Sequence, residues 1–147
     1  MKLYTIGFTK KNAETFFELL GKNKVRFLLD IRLNNVSQLA GFAKGKDLEY
    51  FTSVILNIPY KHDIRLAPSK ELYDKYKAGG ITPEEFESEF KKVLKSRDFD
   101  SIILEEYGEF LENACLLCSE DKADGCHRKL IAEFIAELIP GTEISHL

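Results

Sequence analysis

Residues 114–138 place a short apolar run, a polar loop and a helical segment in direct succession, and this order constrains the fold more than any other stretch of the chain. The apolar run, ACLLC, has the length of a buried strand, and apolar side chains recur at helical spacing after the loop. Because parallel strands need crossover connections, this succession predicts one unit of a parallel sheet. In such a sheet the corner between strand and helix is where ligands bind.

The rest of the chain repeats the alternation of strands and helices. Two further strands are predicted at Lys2–Gly7, which is rich in β-forming residues, and at residues 25–31, where a nearly continuous apolar run is typical of a central strand. Residues 58–62 contain Pro59 and predict an edge strand at best, and residues 142–146 predict a last short strand. We therefore predict an α/β fold, a three-layer, mostly parallel sheet of about five strands with helices on both faces.

The helices between these strands carry start and stop signals. Residues 82–85 (TPEE) form a capping box that predicts a helix to about residue 95. A first helix is expected to end at Gly21, and Asp47 is expected to be the N-cap of a helix that runs to residue 55. Residues 69–77 predict a further short helix.

Length and charge narrow the class of protein. A chain of 147 residues is expected to form a single domain over residues 1–147. The formal net charge of -3 does not favour nucleic acid as a partner, although a local basic patch stays possible. The first residues are too short an apolar stretch for a signal peptide or membrane span, and three cysteines are typical of reduced thiols, so we expect a cytoplasmic protein without a membrane partner.

Two cysteines, Cys118 and Cys126, flank the polar loop that also carries Glu120, with His127 and Arg128 directly after it. If Cys126 lies in the first turn of the helix, the helix dipole and the two cationic neighbours favour its thiolate, as a nucleophile requires. Packing as a small apolar residue is an equal alternative for Cys126 and the favoured interpretation for Cys118. A redox pair of Cys118 and Cys126 also stays open.

The spacing C-x2-C-x7-C-H raises the question of a metal site. Zinc needs convergent ligands. Strand alternation points Cys115 and Cys118 to opposite faces, and the adjacent side chains of Cys126 and His127 are expected to diverge on a helix. The sequence therefore predicts no metal site. Cys115 is predicted to be buried and structural. No motif indicates a particular cofactor.

A second group of polar residues follows the strand at residues 25–31. Asp30 and Arg32 stand at its carboxyl end, where a carboxylate can act as an acid or base and a guanidinium can hold an anion. An ion pair without further function is the alternative. Lys44 in the long polar loop, with His62 and Arg65 in the next loop, adds positive charge to the same edge. This charge predicts a small anionic partner, such as a phosphate or a nucleotide.

Several short motifs together resemble a known family. They are YTIGFT at 4–9, LLDIR at 28–32, SQLAGF at 37–42, PY at 59–60, LAP at 66–68, LLCSE at 116–120 and CHR at 126–128. In this order they resemble the family called domain of unknown function 488 over nearly the whole chain. The resemblance implies a small cytoplasmic α/β protein with polar site positions at Thr9, Asp30, Arg32, Ser37, Cys118, Glu120, Cys126, His127 and Arg128. Phe8 and Thr9 replace the histidine and serine of many members, which argues against an imidazole mechanism at position 8.

These residues lead to the hypothesis of an enzyme of unassigned activity with a small-anion pocket at the carboxyl ends of the strands. Cys126 or Cys118 is the candidate nucleophile, and Asp30 or Glu120 is the candidate base. The residues expected to bind the ligand are Thr9, Arg32, Ser37, Lys44, His127 and Arg128. Two alternatives stay open: a module that binds a nucleotide or nucleic acid without chemistry, and an interaction protein whose thiols only pack.

Overall fold

The computed structural model describes residues 1–36 and 40–147. Within these ranges five parallel strands form one sheet in the order β3-β2-β4-β1-β5. The strands are β1 (Lys2–Gly7), β2 (Phe27–Asp30), β3 (Tyr60–His62), β4 (Ala114–Cys118) and β5 (Glu143–His146). The predicted parallel sheet of about five strands is confirmed, and Pro59 directly precedes the short edge strand β3.

Six α-helices lie between the strands in the described ranges: α1 (Ala13–Lys22), α2 (Gly45–Phe51), α3 (Lys70–Lys77), α4 (Pro83–Ser96), α5 (Phe99–Ser101) and α6 (His127–Leu138). π-helical turns continue α2 (Thr52–Leu56) and α5 (Ile102–Glu106), and short 3₁₀ turns occur at Gly41–Ala43, Ile64–Leu66 and Gly108–Phe110. Among the helices of residues 1–36 and 40–147, none combines the length and the apolar character needed to cross a membrane.

Two buried clusters of apolar side chains cover the two faces of the sheet. Strand β4 alternates between them, with Ala114 and Leu116 in one cluster and Cys115 and Leu117 in the other. Helices α1 and α2 contribute to the cluster of Cys115, whereas α3, α4 and α6 contribute to the cluster of Leu116. This arrangement confirms the three-layer fold and the structural position of Cys115.

Local signals explain where several helices begin. In the capping box of α4, Thr82 Oγ1 accepts a hydrogen bond from the Glu85 backbone N at 3.1 Å, and the Glu85 carboxylate accepts one from the Thr82 backbone N at 3.1 Å. Asn12 and Ser69 cap α1 and α3 with side-chain oxygens in the same way. The predicted start of the residue 82–95 helix is confirmed.

Two predicted helix boundaries are wrong. Helix α1 continues through Gly21 to Lys22. Helix α2 begins at Gly45, so Asp47 lies in its first turn and not at its N-cap. The reason is a tertiary contact, because the Gly45 backbone N donates to the Asn35 carbonyl at 2.8 Å and fixes the helix start earlier than the side-chain signal indicates. In the first turn the Asp47 carboxylate still interacts favourably with the helix dipole.

The connections between strands determine where a ligand can bind. Strands β1 and β4 are neighbours, yet the helices that follow them, α1 and α6, lie on opposite faces of the sheet. The same holds for β2 and β4, which are followed by α2 and α6. In a parallel sheet such a switch leaves a crevice at the carboxyl ends of the strands. The fold thus places the binding crevice at the end of β4, between the ends of β1 and β2.

Candidate functional site

A cavity of about 490 Å³ lies at this switch point. Its floor is formed by residues that follow three strands and by the start of α6: Thr9, Arg32, Leu33, Asn34, Cys118, Ser119, Glu120, Gly125, Cys126 and His127. Its wall is formed by α3 and α4: Tyr73, Tyr76, Lys77 and Phe86. The volume falls in the range of small-molecule sites, and the mixture of aromatic wall and polar floor is typical of them.

The side chains of Cys118 and His127 meet in the floor of the cavity. Cys118 Sγ lies 3.7 Å from His127 Nδ1 and 3.8 Å from Nε2, and both residues are buried. His127 Nε2 lies 2.7 Å from the Ile31 carbonyl oxygen, so Nε2 carries a proton and donates it to that oxygen. In the neutral ring Nδ1 is therefore the nitrogen with the free lone pair, and it lies within 3.7 Å of Cys118 Sγ. A thiol beside such a nitrogen has a base within reach of its proton.

Cys126 completes a cluster of three donors with this pair. It is the N-cap of α6, with extended backbone angles (φ -106°, ψ 138°), and does not lie in the first helical turn. The ligand atoms of Cys118, Cys126 and His127 all lie within 4.8 Å of one another. The expected divergence of Cys126 and His127 is wrong, because Cys126 precedes the helix and its side chain leaves the backbone in a different direction.

The two thiols of this cluster have different tendencies to ionise. A hydrogen bond from Cys126 lowers the pKa of Cys118 despite its burial, helped by backbone N–H groups of the following loop. The same hydrogen bond, together with desolvation, raises the pKa of Cys126. Desolvation also raises the pKa of Cys115 on the other face of the sheet. Of the two thiols in the cluster, Cys118 therefore has the lower pKa, whereas the sequence favoured a Cys126 thiolate on the condition that Cys126 lies in the first helical turn, which it does not.

Arg32 contributes a buried positive charge to the cavity. Its Nε and Nη2 donate to Asp30 at 2.8 and 2.7 Å, and Nη2 also donates to the Ala43 carbonyl at 2.7 Å. Phe8, which stands where the family resemblance places histidine, packs its ring 5.2 Å from the guanidinium carbon. Nη1 is buried and has no hydrogen-bond partner within residues 1–36 and 40–147. Burial lowers the pKa of Arg32, but the hydrogen bonds and charge of Asp30 outweigh it and raise the pKa.

Asp30 lies behind Arg32 and is not among the residues that line the cavity. Its carboxylate is fully buried and accepts hydrogen bonds from the Arg32 backbone and side chain and from the Tyr60 hydroxyl at 2.6 Å. These hydrogen bonds occupy the acceptor positions of the carboxylate, so none is left for a substrate. The contacts of Asp30 orient Arg32.

Arg128 also lies behind the site and holds the loop after β4. Its Nη1 donates to the Glu120 carbonyl, and its Nη2 donates to the Asp121 carbonyl at 3.0 Å. The side chain is fully buried and does not line the cavity. The Glu120 carboxylate is half exposed at the rim, where Lys77 donates to it at 2.9 Å. The loop that carries Cys118 and Cys126 at its ends is therefore fixed by a buried cation.

The remaining predicted ligand-binding residues are placed differently. Thr9 lines the cavity and its hydroxyl donates to the Ser119 carbonyl at 2.6 Å, which ties β1 to the loop after β4. Lys44 is the N-cap of α2 and does not line the cavity. Ser37 lies outside the described residues. His62 also lies off the cavity, with Nε2 2.7 Å from the Arg32 carbonyl.

The aromatic residues of α3 and α4 contribute to the cavity wall, and none of them is among the site residues that the sequence predicts. Tyr76 stacks on Phe86 with ring centroids 4.3 Å apart, and Tyr73 carries the Lys77 ammonium 5.5 Å from its ring centroid. No local motif marks these positions, since the wall lies about forty residues before the thiols in the chain. The helical spacing of Tyr73, Tyr76 and Lys77 places them on one face of α3, and that spacing is the available signal.

A family model described as "Domain of unknown function DUF488" matches residues 12–135. The chain belongs to the DUF488 family. The match covers most of the chain and confirms the resemblance carried by the cysteine, histidine and arginine motifs. Comparison with curated proteins and with solved structures gave no match. The DUF488 name specifies no activity, so the geometry of the cavity is the basis for a functional proposal.

Proposed function

We propose that this DUF488 protein is a thiol-dependent enzyme that acts on a small anionic substrate. The observation that carries the proposal is the position of Cys118. Its sulfur lies in the floor of the cavity, 3.7 Å from Nδ1 of His127, and the same floor contains Arg32, whose buried Nη1 has no hydrogen-bond partner among the described residues. A nucleophile, a base and an anion-binding group thus face one space of substrate size.

Cys118 is the nucleophile in this proposal and His127 is the base. The proton moves from Sγ to Nδ1, and the sulfur attacks an electrophilic atom of the substrate to form a covalent bond. The leaving group departs with the electron pair of its bond and receives the proton from Nδ1. Water then attacks the intermediate and returns the thiol. The Ile31 carbonyl keeps the ring oriented through Nε2 during both transfers.

Arg32 is the anion-binding group because the N–H groups of its Nη1 have no acceptor among the described residues. Nε and Nη2 are held by Asp30 and Ala43, which leaves Nη1 to bind an oxygen of the substrate. Lys77 at the rim adds a second positive charge on the path into the cavity. In this arrangement Asp30 orients Arg32, and Arg128 fixes the loop that carries the nucleophile.

A second candidate function is binding of a nucleotide without chemistry. The observation that favours it is the aromatic wall of Tyr73, Tyr76 and Phe86, which can stack a planar ring while Arg32 holds a phosphate. In this case the thiols would be spectators, and alkylation of Cys118 would leave the affinity for the nucleotide largely intact.

Alkylation of the native protein tests the proposal. We expect iodoacetamide to label Cys118 faster than either other cysteine, with each cysteine followed by the mass of its peptide. His127→Gln should slow the labelling of Cys118 at least tenfold, because the amide takes no proton from sulfur. Inorganic phosphate should protect Cys118.

The matched control is Cys115→Ala, which removes a buried thiol on the other face of the sheet and should leave the labelling of Cys118 unchanged. Circular dichroism of each variant checks that it is folded. If all three cysteines label only after unfolding, Cys118 is not a nucleophile and the proposal is wrong.

A further inference from the structure

We infer that Cys118, Cys126 and His127 form a binding site for a zinc ion, with an open coordination position that faces the cavity. This inference concerns metal binding and goes beyond the proposed thiol activity. It stands on the placement of three donor atoms from three different backbone positions, the end of β4, the N-cap of α6 and the first residue of α6. Zinc binding itself does not depend on the proposed function.

The distances fit a tetrahedral zinc site. The three donor atoms lie within 4.8 Å of one another, and Cys118 Sγ is 3.7 Å from His127 Nδ1. Zinc–sulfur and zinc–nitrogen bonds of roughly 2.3 and 2.0 Å at a tetrahedral angle separate sulfur from nitrogen by about 3.5 Å. The cluster thus needs only small side-chain shifts to close around one ion.

The surroundings of His127 are those of a metal ligand. Nε2 donates to the Ile31 carbonyl at 2.7 Å, which holds the ring in the tautomer whose Nδ1 carries no proton and can bind a metal. Metal-bound histidines usually donate their second nitrogen to a carbonyl or carboxylate in this way, because the contact orients the ring. Here the contact is present between two parts of the chain that are 96 residues apart.

The chemistry of the donors selects the ion. Two sulfur atoms and one imidazole nitrogen, with no carboxylate from the described residues in the cluster, suit zinc and exclude magnesium and calcium, which need oxygen ligands. Two thiolates balance the charge of the divalent ion. All three residues line the cavity, so the fourth position of the tetrahedron opens toward it and toward Arg32. Three protein ligands and one open position are the pattern of sites where zinc binds a further ligand.

The consequence for Cys118 rests on the proposed function. A thiolate bound to zinc is a weaker nucleophile than a free thiolate, because one of its electron pairs is shared with the metal. Zinc should therefore protect Cys118 from alkylation. Zinc would then act as a reversible inhibitor of the thiol chemistry, and a chelator would restore it.

Metal titration of the reduced full-length protein tests the site. We expect one equivalent of zinc to be held in competition with a chromophoric chelator. One equivalent of cobalt(II) should give a sulfur-to-cobalt charge-transfer band and the visible bands of tetrahedral coordination. Cys118→Ser, Cys126→Ser and His127→Gln should each weaken zinc binding at least tenfold. Cys115→Ala is the matched control and should bind zinc as the unchanged protein does.

The cobalt spectrum of the unchanged protein keeps the test valid even where a variant fails to fold. Octahedral cobalt bands, a stoichiometry below one half, or binding that survives in all three ligand variants would overturn the inference. Alkylation separates the two proposals. If Cys118 is inert to iodoacetamide in protein freed of metal by a chelator, but added cobalt gives the tetrahedral spectrum, the thiol enzyme is wrong and the metal site stands. If Cys118 is alkylated rapidly and no tetrahedral cobalt spectrum appears, the enzyme proposal stands and the metal site is wrong.

Discussion

The chain carries the sequence Asp-Ile-Arg at the carboxyl ends of two neighbouring strands, β2 and β3. In both copies the aspartate accepts a hydrogen bond from the arginine backbone N, at 3.1 Å for Asp30 and 3.0 Å for Asp63. In both, the arginine Nη2 donates to the second carboxylate oxygen at 2.7 Å. The two motifs therefore fold into the same local structure.

A tyrosine completes each copy. The Tyr60 hydroxyl donates to Asp30 at 2.6 Å, and the Tyr107 hydroxyl donates to Asp63 at 2.7 Å. Desolvation raises the pKa of each tyrosine, and the negative charge of the neighbouring aspartate raises it further. Both hydroxyls thus stay protonated and act as donors throughout the physiological pH range.

The two arginines differ in what surrounds them. The side chain of Arg32 is 2% exposed and lines the cavity, and its Nη1 has no partner among the described residues. The side chain of Arg65 is 39% exposed and uses Nη1 and Nη2 on Glu106 at 2.8 and 2.7 Å. The comparison shows that a local motif becomes a candidate binding group only where the tertiary structure leaves one of its donors unused.

The largest expected effect comes from removing the charge of the buried aspartate. Asp30→Asn leaves Arg32 buried without a counter-charge and should lower the free energy of unfolding by about 3–5 kcal/mol. The matched change Asp63→Asn should cost less, because Arg65 reaches water and keeps Glu106. Urea unfolding followed by circular dichroism measures both. Equal losses would show that the two arginines depend equally on their aspartates.

The second effect concerns the unused donor. Arg32→Lys removes the planar group that offers Nη1 to the cavity, and should raise the phosphate concentration that half-protects Cys118 from alkylation. A hydrogen bond to a charged group contributes about 1.5–3 kcal/mol, so the increase should be roughly tenfold or more. Arg65→Lys is the control and should change this concentration less than about twofold, since Arg65 does not line the cavity. Equal changes in the two variants would assign the effect to general electrostatics.

The third effect depends on pH. Desolvation would raise the pKa of Asp63, but hydrogen bonds from Arg65 and Tyr107 outweigh it and hold the pKa below its usual value. Asp63 therefore stabilises the fold above the unfolded-state pKa of about 3.9, and this contribution is lost as the pH falls below that value. Tyr107→Phe should cost about 1 kcal/mol at neutral pH and progressively less in acid. A loss that stays constant in acid would show that the hydroxyl acts through packing alone.

The smallest effect is expected at the surface. Glu106→Gln removes the carboxylate that occupies the outer side of Arg65, and because both side chains are partly in water the melting temperature should fall only slightly. High salt should reduce the difference further, since it screens the pair in the unchanged protein. Thermal unfolding at low and high salt measures it. A drop as large as that of Asp30→Asn would mean that Arg65 depends on Glu106 as strongly as Arg32 depends on its aspartate.

The sequence predicted the succession of strands and helices along the chain because apolar periodicity and the capping box at Thr82 are local signals. It also indicated Asp30 and Arg32 as site residues, since they end an apolar strand. It did not separate Arg32 from Arg65, because the partner that occupies Arg65 lies 41 residues further along the chain. Pairing over that distance is a property of the folded chain and leaves no spacing pattern to detect.

The sequence predicted which residues form the thiol cluster but did not predict that their side chains converge. Cys118, Cys126 and His127 were all indicated as site residues, but their convergence depends on the extended backbone of Cys126 directly before α6. One residue of shift in the helix start would turn the side chain away. Helix boundaries are uncertain at that level from sequence, so the cluster could be resolved only when the N-cap was located.

Gly7 ends β1 against the loop that carries Cys118 and Glu120. A side-chain carbon at this position would overlap the Glu120 carbonyl and would come 2.7 Å from Nη1 of Arg128. In a saturation library scored by function, position 7 should therefore tolerate almost no substitution, although Gly7 does not line the cavity. In such a library Gly7 would be indistinguishable from a catalytic residue. A measurement on the purified variant, such as the alkylation rate of Cys118, would show that Gly7 is needed for the close approach of the loop and not for chemistry.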